Sequence, residues 1–169
     1  GNSLKVKDEV IVLPSLKKSV IKSIHFFDQE IETAAEGSSV VITLEDDVNV
    51  SRGDMLVKSN ELPIVEKELE AVVCWMDNKE LLEGSKYILQ HSNNNVLAKI
   101  DSIGNTISTD FKGKEKSNGH LKLNEIGQVK LRLNKPIYFD AYEINKNNGA
   151  FILIDAQTNA TAGVGFLSA

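Results

Sequence analysis

LKLNEIGQVKLRLNKPIYFDAY (Leu121–Tyr142) and GAFILIDAQTNATAG (Gly149–Gly163) decide the fold. In Gly127–Leu133, Val129, Leu131 and Leu133 fall on one side and Lys130 and Arg132 on the other. A period of two predicts a strand with one face on a core and one in water. Pro136–Tyr142 and Ala150–Asp155 read as two further strands, and Gly163–Leu167 as a terminal one.

The same period extends outward. Glu9–Leu13 is a β-branched strand stopped by Pro14. Ser19–Phe27 is another, with Val20, Lys22, Ile24 and Phe26 on one face and His25 opposite. Ala34–Gly37 is a short turn, and Ser39–Leu44 after it reads as a buried strand. Val50–Val57 turns into a closing strand. Lys58–Glu66, polar and containing Pro63, reads as a linker between two strand-rich blocks. Leu69–Met76 opens the second block. Ala71, Val73 and Trp75 share one face and Val72, Cys74 and Met76 the other, which predicts a strand covered on both sides. Lys86–Gln90 and Asn95–Ile103 follow. Asp77–Leu82 is the one predicted helical turn. Short strands at short spacing imply an all-β class, barrels or sandwiches.

A chain of 169 residues holds one medium domain or two small ones. Its 41% hydrophobic content is that of an ordinary globular protein. No apolar run approaches the ~20 residues that span a bilayer, and the first ten residues carry no apolar signal core. A membrane partner is therefore not expected. Gly1 without an initiator Met suggests a trimmed tag. The single cysteine, Cys74, can form no internal disulfide, which fits a reducing cytoplasm. A net charge of -5 argues against nucleic acid, whose binders present basic stripes to phosphates. The one dense basic run, Lys112–Lys116, reads as a solvated loop, with contact to an acidic partner as the alternative.

The motifs of chemistry are missing. There is no G-x-x-x-x-G-K-[ST] phosphate loop, no Rossmann glycine pattern and no H-E-x-x-H. His25, His91 and His120 lack metal-ligand spacing and read as surface or structural residues. Cys74 has no cationic neighbour in sequence and reads as core packing. Glu45-Asp46-Asp47 invites a metal, but three consecutive acids at a strand end read as a solvated turn. Arg52-Gly53-Asp54 reads as a glycine-permitted turn. Tyr138, Phe139, Tyr142 and Phe151 fall within strands, and most of them are assigned to the core. No catalytic, cofactor-binding or metal residue is predicted.

Several stretches resemble one family. Lys5–Leu13 with Pro14, Val20–Phe27, Ala34-Ala35-Glu36-Gly37 and Val50–Leu56 (VSRGDML) are similar to the second domain of translation-factor-type GTPases. Ala71–Met76 (AVVCWM), Leu123–Gly127 (LNEIG), Pro136–Tyr142 (PIYFDAY) and Gly149–Thr161 narrow this. They resemble the large, GTPase subunit of bacterial ATP-dependent sulfate adenylyltransferase, over nearly the whole chain. The resemblance implies two consecutive elongation-factor-like β-barrels, residues 1–62 and 63–169. The first would be incomplete, because the strands expected before Lys5 are absent, and its open edge would favour self-association. The family's nucleotide domain is also absent. Asn78-Lys79-Glu80-Leu81 begins like its base-reading N-K-x-D motif but lacks the Asp. GTP and Mg²⁺ would belong to that absent domain, and this chain alone would be inactive. The implied partner is the small sulfurylase subunit, which joins ATP and sulfate into adenylyl sulfate and pyrophosphate. The alternative is an elongation-factor-like module binding RNA or another protein.

Overall fold

The computed structural model describes residues 3–108, 114–115 and 119–168. All regular structure in them is β. The chain divides into two compact units, Gly1–Leu62 and Pro63–Ala169.

The first unit holds β1 (Leu4–Lys5), β2 (Glu9–Leu13), β3 (Lys17–Phe26), β4 (Gln29–Ile31), β5 (Thr33–Ala34), β6 (Val41–Leu44) and β7 (Met55–Lys58). Its main sheet runs β4-β3-β2-β7, with β6 also bonded to β3. The long β3 divides its edges between β2, β4 and β6, all antiparallel. Val10, Ile21, Ile24 and Ala34 form the core, with Leu4, Val6, Ile42 and Leu56 among those packed on it. The result is a half-barrel. Among the described residues, β6 and β7 each have a strand partner on one edge.

Two expectations change in this unit. Val20, Lys22, Ile24 and Phe26 do not share one face: Ile24 is buried with Ser19 and Ile21, whereas Lys22 and Phe26 are exposed. The register against β6 slips between Ile21 and Ser23, and one extra residue moves the later side chains to the other face. Ser39–Leu44 is not a buried strand. It shortens to β6, where Val41 is 64% exposed, because an edge strand of an open sheet has one face to water.

The second unit holds β8 (Ile64–Trp75), β9 (Leu81–Leu82), β10 (Lys86–His91), β11 (Asn94–Ser108), β12 (Lys114–Glu115), β13 (His120–Leu121), β14 (Glu125–Phe139), β15 (Ala150–Ile154) and β16 (Thr161–Leu167). The order β10-β15-β16-β8-β14-β11 closes on itself through β10–β11. This is a six-stranded antiparallel barrel, and closure removes its sheet edges. Trp75, Leu89, Ile100, Leu131 and Leu153 fill it. Val129, Leu131 and Leu133 point inward as the period requires.

Four expectations change here. The linker ends early: Ile64–Glu66 already belong to β8 and pair with Ile137–Phe139. Pro136 does not start a separate strand. β14 runs through it, and Pro136 falls in the register break between Arg132 and Ile137, where no ladder N–H is required of it. Asp77–Leu82 is no helical turn. The Trp75 indole donates to the Lys79 carbonyl at 2.8 Å and Leu81 pairs with Leu121, so two tertiary partners override local preference. The second face of β8 is the barrel's outside. There Val72 and Cys74 lie beside Phe166 and Val164 and stay half-buried, and Met76 is 52% exposed.

Candidate functional site

The residues singled out from sequence are mostly occupied in holding the fold. Glu45 pairs with Lys7 at 2.6 Å. Asp46 accepts the Ser19 hydroxyl at 2.8 Å, and its amide donates back to that oxygen. These acids brace a turn. Asp54 accepts the Ser51 amide at 2.8 Å, closing the Arg52-Gly53-Asp54 turn around the positive φ of Gly53. His25 shares Ser23 Oγ at 3.1 Å on β3. Cys74 is not core. It is half-buried on the outer face of the closed barrel. Phe139 and Phe151 are core, whereas Tyr138 and Tyr142 are half-buried, the latter with its ring 4.6 Å from Phe166. Lys112–Lys116 lies outside the described residues, save the backbone of β12. Among the described residues no three His, Cys, Asp or Glu side chains gather into a metal-holding group.

Three features were not read from sequence. The first is a polar lock at the end of β10. His91, 2% exposed, donates its Nε2–H to the Asn148 carbonyl at 2.8 Å. Asn148 and Asn145 both donate their amides to Asp140 Oδ2, at 2.9 and 3.1 Å. The buried Asn148 Oδ1 has no hydrogen-bond partner. Gly149 finishes this loop, and a Cβ there would sit 2.4 Å from Tyr142 Cα, so only glycine fits.

The second is a cleft of about 260 Å³ lined by Lys79, Ser85, Lys86, Tyr87, Asp155 and Gln157 among others. Asp155 Oδ1 accepts the amides of Gln157 at 2.7 Å and Thr158 at 3.0 Å. Those bonds, Thr158 first, hold its carboxyl below the usual carboxylate range. Burial, and then the charges of Asp155 and Asp77, push the Tyr87 phenol up, so it stays protonated. The Asp155 loop is therefore a hairpin lock.

The third is the β3–β4 hairpin tip. Phe27 is 85% exposed and Phe26 40%. Their rings meet edge to face, centroids 4.7 Å apart. A one-face reading of β3 hid this, because it grouped Phe26 with Ile24 on one face and ran the strand through Phe27.

Residues 68–168, most of the closed barrel, match the family described as GTP-eEF1A C-terminal domain-like. The chain belongs to that family. The half-barrel lies before the matched residues. Two relatives cover nearly all of the chain. Sulfate adenylyltransferase subunit 1 of Shewanella woodyi is 38% identical over 167 residues, 99% of this chain and 35% of the relative. The protein of the same name from Bacteroides fragilis is 41% identical over 160 residues, 95% of this chain and 33% of the relative. The chain thus spans about a third of the length of these relatives. A solved structure of Sup35 complexed with GDP superposes with a TM-score of 0.86 at 17% identity, over 100% of this chain and 42% of that one. At that identity the likeness establishes the fold alone, a translation-factor-like half-barrel followed by a closed barrel.

Proposed function

We propose that this chain is the C-terminal pair of barrels of the GTPase subunit of a sulfate adenylyltransferase. In the complete enzyme a small companion subunit would make adenylyl sulfate and pyrophosphate from ATP and sulfate, coupled to GTP hydrolysis elsewhere in the large subunit. The observation that carries this reading is the 38% identity along the whole chain to a relative of that name. The barrels contribute no catalytic group. They supply docking surfaces and carry the nucleotide state as rigid bodies. In this reading GTP and Mg²⁺ are held elsewhere in the large subunit. Their place is the part of the relatives that this chain does not span. The net charge of -5 disfavours RNA as the partner, and the lone cysteine suits the cytoplasm.

Calorimetric titration of the chain with the small subunit tests this. Saturable binding places a docking surface on these barrels. Failure to bind, with salt-dependent binding of RNA instead, overturns the reading. GTP turnover by the chain alone overturns its catalytic silence.

A further inference from the structure

The loop between β14 and β15 is obliged to carry a chemically fragile pair, Asn148-Gly149. Glycine at 149 is fixed by space, since a Cβ there would sit 2.4 Å from Tyr142 Cα. Asparagine at 148 is fixed by bonding, since its Nδ2 donates to Asp140 Oδ2 at 2.9 Å. An asparagine followed by glycine is the pair most open to self-deamidation, because no side chain on the second residue shields its amide nitrogen. That nitrogen attacks the asparagine Cγ. The new C–N bond closes a cyclic imide, and the side-chain nitrogen leaves as ammonia, taking the amide proton with it. Water then opens the imide at one carbonyl or the other, which leaves aspartate or isoaspartate.

The folded loop denies the movements this needs. Ring closure turns the Asn148–Gly149 peptide against the Asn148 side chain. The carbonyl of that peptide accepts His91 Nε2–H at 2.8 Å, and its N–H donates to the Asn145 carbonyl at 2.8 Å. The Asn148 backbone N–H donates to Asn145 Oδ1 at 3.3 Å, and the side chain is held by Asp140. The attacking nitrogen is thus engaged, and the carbon it must reach is pinned. The lock has one gap. Asn148 Oδ1 is buried without a hydrogen-bond partner, so opening the loop to water regains a bond that the closed loop lacks.

We propose that Asn148-Gly149 is a latent self-modification site, silent while the lock of Asp140, Asn145 and His91 is shut, and that its conversion makes opening of this loop irreversible. Aspartate at 148 lacks the Nδ2 donor and faces the Asp140 carboxylate, and two carboxylates sharing one buried site repel. Isoaspartate also lengthens the backbone beside Tyr142. A chain modified while open does not close again, so the open fraction sets how long the barrel lasts.

Peptide mapping of the aged chain by mass spectrometry reads this site apart from Asn118-Gly119, the other Asn-Gly pair. Asn148 should convert about tenfold or more slowly in the native chain than in urea, since conversion waits on local opening. Asp140→Ala should raise the native rate towards the value in urea while Trp75 fluorescence still reports a folded core. Asn145→Ala, which loses the bonds to Asp140 and to the Asn148 amide, should do the same. Val129→Ala, a core truncation away from the loop, should leave the rate near wild type. Chains that carry the modification should refold incompletely once urea is removed. Equal rates in the native chain and in urea would overturn the protection. Folded Asp140→Ala and Asn145→Ala chains no faster than wild type, or Val129→Ala as fast as either, would show that the lock is not what protects. Full recovery of the modified chain to the wild-type Tm would remove the irreversible step.

Discussion

Gly165 offers the sharpest test of how the closed barrel is packed. It pairs with Phe151 across β15 and β16, and the Phe151 ring covers its α-carbon. A Cβ on residue 165 would lie 2.1 Å from Phe151 Cζ and 2.5 Å from both Cε atoms. Carbon atoms rest about 3.5–4.0 Å apart, so the ring would have to retreat by about 1.5 Å. Phe151 is 2% exposed inside a sealed sheet and has little room to do so. Overpacking of this kind destabilises by about 1–3 kcal/mol. The stiffer unfolded chain of alanine returns about 0.4–1 kcal/mol. Gly165→Ala should therefore destabilise the second unit by about 1–2 kcal/mol, on the order of 5–10 °C in Tm for a unit of this size. Phe151→Ala should cost about 3–5 kcal/mol through the cavity it leaves. In the double variant the new methyl enters that cavity, so the sum of the single effects should overshoot by about 1 kcal/mol or more. Trp75, the one tryptophan, sits in this core and reports its unfolding by fluorescence in urea. A Gly165→Ala chain as stable as wild type, or strict additivity in the cycle, would refute the packing argument.

Other outcomes follow from the same structure. Phe27→Gly should stabilise the first unit by about 0.5–1 kcal/mol, the relief of left-handed strain less the entropy of glycine; a lower calorimetric Tm would contradict the strain. Asp155 is held below the ordinary carboxylate range, so its stabilisation is complete above about pH 4 and drains as pH falls through the lower folded value. Asp155→Asn should accordingly lose stability at neutral pH and show a shallower acid unfolding curve; an unchanged acid slope would exclude the lock. The single-sided edges of β6 and β7 should promote association of this chain at high concentration, and a strictly monomeric species by light scattering would count against that.

The second barrel was legible wherever burial followed a strict period of two. Val129, Leu131 and Leu133 needed only alternation to be placed inside, and alternation grouped Ala71, Val73 and Trp75 on the one face that the barrel buries. The first unit was harder because one register slip between Ile21 and Ser23 inverts the later faces, and no residue type announces a slip. Pro136 misled for a related reason. Proline excludes a ladder donor, and sequence alone does not tell a strand end from a gap within a strand. Asp77–Leu82 misled because its conformation is set by Trp75 and Leu121, neither of them within it. The exposure of Phe27 was invisible because it depends on a turn conformation that the strand pattern does not announce.

These contrasts bear on function. In the closed barrel the long loops are tied by their own polar groups: His91 to the Asn148 backbone, Asn145 and Asn148 to Asp140, and the Asp155 carboxylate to two amides of its hairpin. Groups spent on internal hydrogen bonds are poor reagents and rigid supports. That suits a body whose task is to hold shape. At the first unit's hairpin the economy is reversed. Phe27 holds a positive φ and lies exposed, and so does Leu16 at the tip of the β2–β3 hairpin, so these tips keep strain that no packing offsets.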